Sequence, residues 1–252
     1  MSPGLQVAVY SAVIFLTALT GGLIPIFGGK RARSVTFLAF AAGIMLGAAF
    51  FEMLPEAFHK GGYQSFAVVP IGFLALFLLE RYVLVHVCEE PPECEEHGHG
   101  KPSALGLTAF LGMSAHTLFD GVALASSVLE GIGLTALVAI TAHKFPSSLS
   151  LASILHSERA QKKVSLLYIV AFGLMVPMGA GIYLLLDSAL HFETFSARAL
   201  AFSAGTFLYI SVSDLLPHVN RHGKDHRFIH IVALGAGLGL MFGLAQLLPH
   251  EH

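Results

Sequence analysis

Two histidines lie near the middle of long apolar segments, and each is followed by a polar residue one helical turn later. His116 precedes Asp120, and His143 precedes Ser147. Residues four apart share one face of a helix, so each pair can point at the same ion. Imidazole and carboxylate groups suit Zn²⁺ and similar first-row divalent ions. Because ionisable groups inside a membrane are costly and usually serve a pathway or a site, the pattern predicts an intramembrane metal site; the alternative for either histidine alone is a polar helix contact.

The two histidine segments match each other in register. The offset that carries His116 onto His143 also brings together Leu124 and Leu151, Ala125 and Ala152, and Ser126 and Ser153. The same offset brings Thr117 onto Lys144.

The ammonium of Lys144 inside a helix bundle needs a partner, and Asp120 on the adjacent segment is the obvious candidate. We hypothesise that Lys144 stands in for a second cation; the alternative is that its side chain extends to the membrane surface.

The composition places these segments in a membrane. Of the 252 residues 55% are hydrophobic and only 12% are charged, whereas a soluble domain carries about 25% charged residues. Eight stretches reach the roughly 20 mainly apolar residues that a span requires. They lie at about 5–27, 35–58, 66–87, 104–129, 134–156, 164–190, 195–218 and 229–248, with a short link at 192–196 before the seventh. We predict one all-α membrane domain over residues 1–252, beginning with a span rather than a cleaved signal peptide.

The basic residues predict how this bundle is oriented. Arginine and lysine accumulate in cytosolic loops. One side carries only Lys60 and Arg198, against ten residues on the other: Lys30, Arg31, Arg33, Lys101, Arg159, Lys162, Lys163, Arg221, Lys224 and Arg227. Both termini should therefore face away from the cytosol, in a plasma membrane or a bacterial inner membrane.

A second internal repeat links the second predicted span to the seventh. At one common offset, Phe40-Ala41-Ala42-Gly43 matches Phe202-Ser203-Ala204-Gly205, and Glu52-Met53-Leu54-Pro55 matches Asp214-Leu215-Leu216-Pro217. The copies are five crossings apart and therefore run in opposite directions. An inverted repeat of this kind places a substrate site near the midplane of a transporter.

At these motifs the chain resembles the ZIP (Zrt-/Irt-like) family of divalent metal transporters, solute carrier family 39. The fourth-span element of that family is present from His116 to Gly121, and its fifth-span His-x-x-Pro element from His143 to Pro146. The second- and seventh-span signatures appear at 43–46 with 54–56 and at 202–209 with 215–217. The resemblance implies an eight-helix bundle in a 3+2+3 arrangement that carries Zn²⁺, or a related ion such as Cd²⁺, Mn²⁺ or Fe²⁺, toward the cytosol.

The chain departs from the two-metal pattern of many relatives. Where these have a polar residue after the fourth-span histidine, acids in the fifth span and a glutamate in the sixth, this chain has Thr117, Lys144, Ser147 and Val176. We infer one site built from His116, Asp120 and His143, with Ser147 or water completing the ligand set. The His-Lys-x-Pro variant resembles the smallest ZIP subfamily.

Further metal-binding side chains are candidates for the pathway. Topology places Glu52, Glu56 and His59 toward the external mouth, and His156, Asp214 and His218 toward the cytosol; some of these could instead cap helix ends. The acidic loop 89–101 follows Cys88 and contains Cys94, His97 and His99. This loop either binds exported metal or is a solvated acidic linker.

Two other classes remain open at this stage. A cation diffusion facilitator also uses a His-x-x-x-Asp element, and an intramembrane zinc hydrolase could use Ser147 or Ser148 beside Asp120. A metal sensor that uses the same site without net flux is a weaker third hypothesis.

We favour a transporter, not an enzyme, with no organic cofactor. Its expected partners are the metal ion and the lipid bilayer but no nucleic acid, and a homodimer stays open.

Overall fold

The computed structural model describes residues 1–28, 35–84, 104–158, 160–186, 192–222 and 227–247, and nearly all of them are helical. Five helices are uninterrupted: α1 (Pro3–Phe27), α4 (Ala104–Leu129), α5 (Gly133–Ser157), α6 (Lys162–Leu186) and α8 (Arg227–Leu247). Three are composite. α2 consists of Val35–Ala48, Ala49–Met53 and Leu54–Gly61, α3 of Tyr63–Val68, Val69–Leu78 and Leu79–Leu84, and α7 of Phe192–Tyr209, Ile210–Leu215 and Leu216–His222.

Seven of the helices in the described ranges are long and apolar enough to cross a membrane. The exception is α5, which has 25 residues but carries His143, Lys144 and several serines. Most of its second half is buried, because α1, α2 and α4 pack around it. The prediction of a nearly all-helical, multi-span membrane protein is confirmed. The polar part of α5 is thus the part that neighbouring helices cover.

Helix ends follow local sequence signals, with one difference from the sequence prediction. Gly62 and Gly131, at the tight connections after α2 and α4, have φ values of +64° and +86°, which glycine adopts without the cost that a Cβ would add. The link predicted at 192–196 is wrong, because these residues form the first turn of α7. The phenylalanines in this stretch continue the apolar character of the helix, so no breaker separates them from it.

Helices α4 and α5 form the centre of the bundle. α4 packs on α5, α6 and α7, and α5 packs on α1, α2 and α4, while α2 also contacts α8 and α3 contacts α7. Small residues allow close approach between helices in a membrane. At the α4–α6 crossing, a Cβ on Gly121 would collide with the carbonyl of Val176, and one on Gly179 would collide with that of Leu118.

Three π-helical segments interrupt the α-helical hydrogen bonding in the described part of the chain, at Ala49–Met53, Leu79–Leu84 and Ile210–Leu215. Such segments insert an extra residue into a turn and often lie at functional sites. The first contains Glu52 and the third contains Asp214, so both acids of the inverted repeat lie where the helix is locally wound more loosely.

Candidate metal centre

Helices α4 and α5 bring three metal-binding side chains together in the core. His116 and Asp120 extend from α4 and His143 from α5, and one ligand atom from each lies within 4.8 Å of the others. All three side chains are buried. Two imidazoles and a carboxylate form a donor set that suits Zn²⁺.

The carboxylate of Asp120 faces both imidazoles. Its Oδ1 lies 3.3 Å from Nε2 of His116, and its Oδ2 lies 3.5 Å from Nε2 of His143. Two ligand atoms at ordinary zinc distances in a tetrahedral site are about 3.3 Å apart. The two carboxylate–imidazole spacings are close to this value, and the ligand atoms of all three residues lie within 4.8 Å of one another, so a displacement of side chains would admit the ion.

Lys144 contributes a buried cation directly beside this cluster. Its Nζ donates hydrogen bonds to Oγ1 of Thr117, at 2.7 Å, and to Oδ2 of Asp120, at 3.0 Å. The same ammonium lies 4.6 Å from the ring centroid of Phe172 on α6. The side chain is fully buried, so it does not extend to the membrane surface. Its charge is balanced by Asp120 and by the face of an aromatic ring.

Glu52 approaches the cluster from α2. Its carboxylate makes an ion-pair contact with Nδ1 of His143, and its side chain is 25% exposed. The sequence prediction placed Glu52 toward the external mouth, as a pathway residue, and did not bring it to the paired histidines. The π segment around Glu52 changes which face of α2 the acid occupies, and a regular 3.6-residue periodicity carries no sign of that change.

The remaining predicted site residues occupy different positions around the cluster. Ser147 is buried, and its hydroxyl donates a 2.8 Å hydrogen bond to the backbone carbonyl of His143. That carbonyl lies one helical turn earlier, on the other side of Pro146. Val176 is buried in an apolar cluster with Ile14 and Leu124. An aliphatic side chain cannot bind a metal, so the sixth span contributes no ligand at this position.

Glu56 and His59 lie beyond Glu52, near the end of α2. Glu56 forms an ion pair with Lys60 at 3.0 Å, both side chains being about one third exposed, and His59 is exposed. Neither belongs to the cluster of His116, Asp120 and His143. Their position near the end of a helix agrees with a pathway role and with the helix-end role left open above.

A second group of polar residues lies at the other end of α5 and α7. His156 is buried in the last turn of α5, about 20 Å along the helix from His143. Asp214 has one carboxylate oxygen that is buried without a hydrogen-bond partner in the described ranges. His218 is half-buried one turn farther along α7. The sequence predicted these three as residues on the cytosolic side of the pathway.

Two acids that the sequence prediction did not single out belong near this second group. Asp214 lies within electrostatic range of Glu80 and Glu158, and the hydroxyl of Tyr209 donates to Glu80 at 2.7 Å. Glu158 accepts a hydrogen bond from the backbone amide of Gly106 at 3.1 Å. The loop candidates Cys88, Cys94, His97 and His99 lie outside the described residues.

Comparison with known proteins adds to this geometry. A family model described as "ZIP Zinc transporter" matches residues 5–107 and 92–245. Zinc transporter ZupT of Akkermansia muciniphila is 30% identical over an alignment that covers 91% of this chain and 95% of the relative. Zinc transporter ZIP1 of Danio rerio is 25% identical over 96% of the chain and 98% of the relative. Zinc transporter ZIP9 of Micropogonias undulatus is 25% identical over 98% of both chains.

Proposed function

The chain belongs to the ZIP family of zinc transporters, and on that basis we propose that it carries Zn²⁺ through a single site between α4 and α5 by alternating access. Metal transport is the function of the family, and its members are transporters rather than enzymes. The intramembrane hydrolase and the cation diffusion facilitator gain no support from the comparisons. The main support for the location of this site is the buried group of His116, Asp120 and His143, whose ligand atoms lie within 4.8 Å of one another.

A single metal is proposed because the ammonium of Lys144 lies directly against the carboxylate of Asp120. Its ammonium contacts Oδ2 of Asp120 and the hydroxyl of Thr117. A second divalent cation there would meet a positive charge at close range in a medium of low dielectric constant. The carboxylate thus stays charged without a second metal. Zn²⁺ then needs to displace only the contacts that Asp120 makes with the two imidazoles.

The fourth ligand is proposed to be Ser147 or water. The hydroxyl proton of Ser147 is engaged by the carbonyl of His143, so an oxygen lone pair remains for the ion. A hydroxyl ligand without charge would hold Zn²⁺ less tightly than a second carboxylate. That difference favours release, which a transporter needs as much as binding.

An inverted 3+2+3 arrangement is proposed from repeats in both sequence and packing. The offset that carries Phe40 onto Phe202 also carries the π segment Ala49–Met53 of α2 onto 211–215, which lies within the π segment Ile210–Leu215 of α7. The two acids, Glu52 and Asp214, correspond at the same offset. A shared defect in helix winding is difficult to obtain by chance from alanine-rich sequence, and it supports a common origin for the two halves.

Close helix crossings repeat in the same way. A Cβ on Gly43 of α2 would meet the carbonyl of Leu234 on α8, and one on Gly205 of α7 would meet that of Val69 on α3. The crossing of α4 and α6 at Gly179 corresponds to the crossing of α5 and α1, where a Cβ on Gly21 would meet the carbonyl of Phe145. These paired crossings support the grouping of α1–α3 with α6–α8 around α4 and α5.

Transport toward the cytosol is proposed from family membership and from the distribution of basic residues. That distribution also supports termini that face away from the cytosol. Zn²⁺ is the proposed substrate. Transport of Cd²⁺, Mn²⁺ or Fe²⁺ stays a prediction, as do membership of the smallest ZIP subfamily and formation of a homodimer.

Zinc flux into proteoliposomes tests the proposed function. We expect the wild-type chain to accumulate Zn²⁺ and His116→Ala to lower the initial rate by at least about 100-fold, because even residues that only support metal ligands are worth roughly 10–100-fold. His230→Ala is the matched control, since His230 is a buried histidine on α8 that has no place in the proposed site. It should transport within about twofold of wild type.

Three results would contradict the proposal. Undiminished flux in His116→Ala would show that the cluster is not the transport site. An equal loss in the two histidine variants would assign the effect to weakened folding. Absence of wild-type flux together with a hydrolytic activity that depends on His116 would favour the intramembrane hydrolase.

A further inference from the structure

The ammonium of Lys144 has three N–H groups to satisfy in the core, and only two of them meet an oxygen. A lysine ammonium carries three donors and no acceptor. Hydrogen bonds to Oγ1 of Thr117 and to Oδ2 of Asp120 use two of these donors. In the described part of the chain, the third partner of the ammonium is the ring of Phe172, whose centroid lies 4.6 Å from Nζ. An aromatic face thus completes the surroundings of a fully buried cation.

The helix that supplies this ring brings no acid to the site. α6 contains neither aspartate nor glutamate. Val176 lies one turn after Phe172, on the same helix face, and is buried in an apolar cluster. The face of an aromatic ring attracts a cation through its quadrupole without carrying a formal charge. The α6 side of the site therefore holds the ammonium but offers no ligand to a metal ion.

Close packing between α1 and α6 fixes the position of the ring. Phe172 is fully buried. A Cβ on Gly22 of α1 would collide with the side chain of Ile169, about one turn before Phe172, and a Cβ on Gly173 would collide with the ring of Phe15. The ring of Phe172 therefore cannot withdraw from the ammonium unless the contact between these two helices also changes.

The contact between the ring and the ammonium is worth most when the site holds Zn²⁺. Without the ion, the carboxylate of Asp120 is free to balance Lys144. When Asp120 binds Zn²⁺, the metal withdraws part of that negative charge, and the ammonium depends more strongly on Phe172. A contact that is stronger in the bound state than in the free state raises the affinity for the ion.

We propose that Phe172 is a positioning residue of the transport site: its ring holds the ammonium of Lys144 in place while Asp120 binds Zn²⁺, and it thereby raises the zinc affinity of a site that contains a fixed cation. The chain accommodates a lysine beside its metal with an aromatic ring on α6 and not with a further carboxylate. This inference rests on the proposed function, because it concerns the same site.

Fluorinated phenylalanines at position 172 test the inference with little change in the shape of the side chain. Ring fluorines withdraw electrons from the aromatic face and so weaken its electrostatic attraction for a cation. We expect phenylalanines with one, two and three ring fluorines to lower the zinc affinity of the purified protein stepwise. The loss should reach roughly tenfold with three fluorines, which corresponds to about 1.4 kcal/mol. Calorimetric titration measures the affinity.

The same series in the variant Lys144→Met separates the attraction for the cation from packing. Methionine keeps an unbranched side chain but removes the charge, so the zinc affinity of this variant should stay within about twofold across the series. Phe110 on α4 is the matched control. Its ring packs on Tyr168 with 4.7 Å between centroids, and the cation–ring contacts among the described residues do not include it. Fluorination of Phe110 should leave the zinc affinity unchanged.

The outcomes separate the inference from the proposed function. A zinc affinity that does not depend on the number of fluorines at position 172 would overturn the inference. An equal loss in the Lys144→Met series would assign Phe172 a packing role and would also contradict it. Both results are compatible with a wild-type chain that transports Zn²⁺. Absence of zinc flux in the wild-type chain would instead refute the proposed function.

Discussion

The carboxylate of Asp120 is shared between two imidazoles and an ammonium. Oδ1 faces His116, while Oδ2 faces both His143 and Lys144. A buried charge is stable only when it is paired and hydrogen-bonded, and Lys144 supplies such a pairing for Asp120. We propose that the lysine thereby keeps the site charged and assembled without metal, while its own positive charge limits how strongly the site attracts a second ion.

The variant Lys144→Glu tests whether the ammonium replaces a second metal. We expect the number of zinc ions bound per chain to rise from one to two, because Asp120 and the new carboxylate would share a cation that Lys144 now excludes. Calorimetric titration of purified protein measures the stoichiometry. The control is Lys163→Glu, which makes the same change of charge at an exposed position and should still bind one ion. Unchanged stoichiometry and unchanged uptake in Lys144→Glu would reject the hypothesis.

At the scale of elements, positions where two backbones nearly touch determine how the helices cross. Gly121 of α4 faces the carbonyl of Val176 on α6, and Ser148 of α5 donates its hydroxyl to the carbonyl of Ala18 on α1. Gly121 and Ser148 correspond in the repeat of the two histidine segments. One half of the repeat thus uses a glycine to bring two helices together, and the other half uses a hydroxyl hydrogen bond.

Gly121→Ala should loosen the crossing of α4 and α6. The added Cβ would collide with a carbonyl that cannot rotate away, and forced overpacking costs typically about 1–3 kcal/mol. We expect a lower midpoint of thermal unfolding in detergent, together with slower zinc uptake, because α4 carries His116 and Asp120. Gly181→Ala on α6 is the matched control.

A Cβ at Gly181 would have no neighbouring atom within 4 Å among the described residues. Replacing glycine by alanine inside a helix gains up to about 1 kcal/mol, so this control should be as stable as the wild type or slightly more so. Equal melting temperatures in the two alanine variants would show that the close contact at Gly121 does not limit the stability of the bundle.

For the molecule as a whole, the arrangement shields its most polar helix. α5 carries His143 and Lys144, and it is the helix that falls short of the apolar character of the other seven in the described ranges. Its neighbours α1, α2 and α4 bury most of its second half, including His143 and Lys144. The bundle thereby holds a charged site at membrane depth, where an isolated helix with these residues would insert poorly.

The orientation of the bundle is tested by labelling single cysteines in intact cells. In a chain without Cys88 and Cys94, Tyr63→Cys lies at the first residue of α3, just after α2, and Gln161→Cys lies between α5 and α6; both positions are exposed. We expect a membrane-impermeant maleimide added outside the cells to label position 63 but not position 161 until the membrane is opened. The reverse pattern would refute an orientation with both termini away from the cytosol.

The sequence alone determined the helical membrane architecture, the pairing of His116 with Asp120 and the match in register between the two histidine segments. Those features depend on the 3.6-residue period and on hydropathy, which local sequence carries. The sequence also pointed to Asp120 as the partner of Lys144, which lies 3.0 Å from it. Only the tertiary structure brought Glu52 to His143 and Thr117 to the ammonium of Lys144. The depth and rotation of one helix against another depend on π segments and on backbone contacts between distant residues, and neither follows from the period of a single helix.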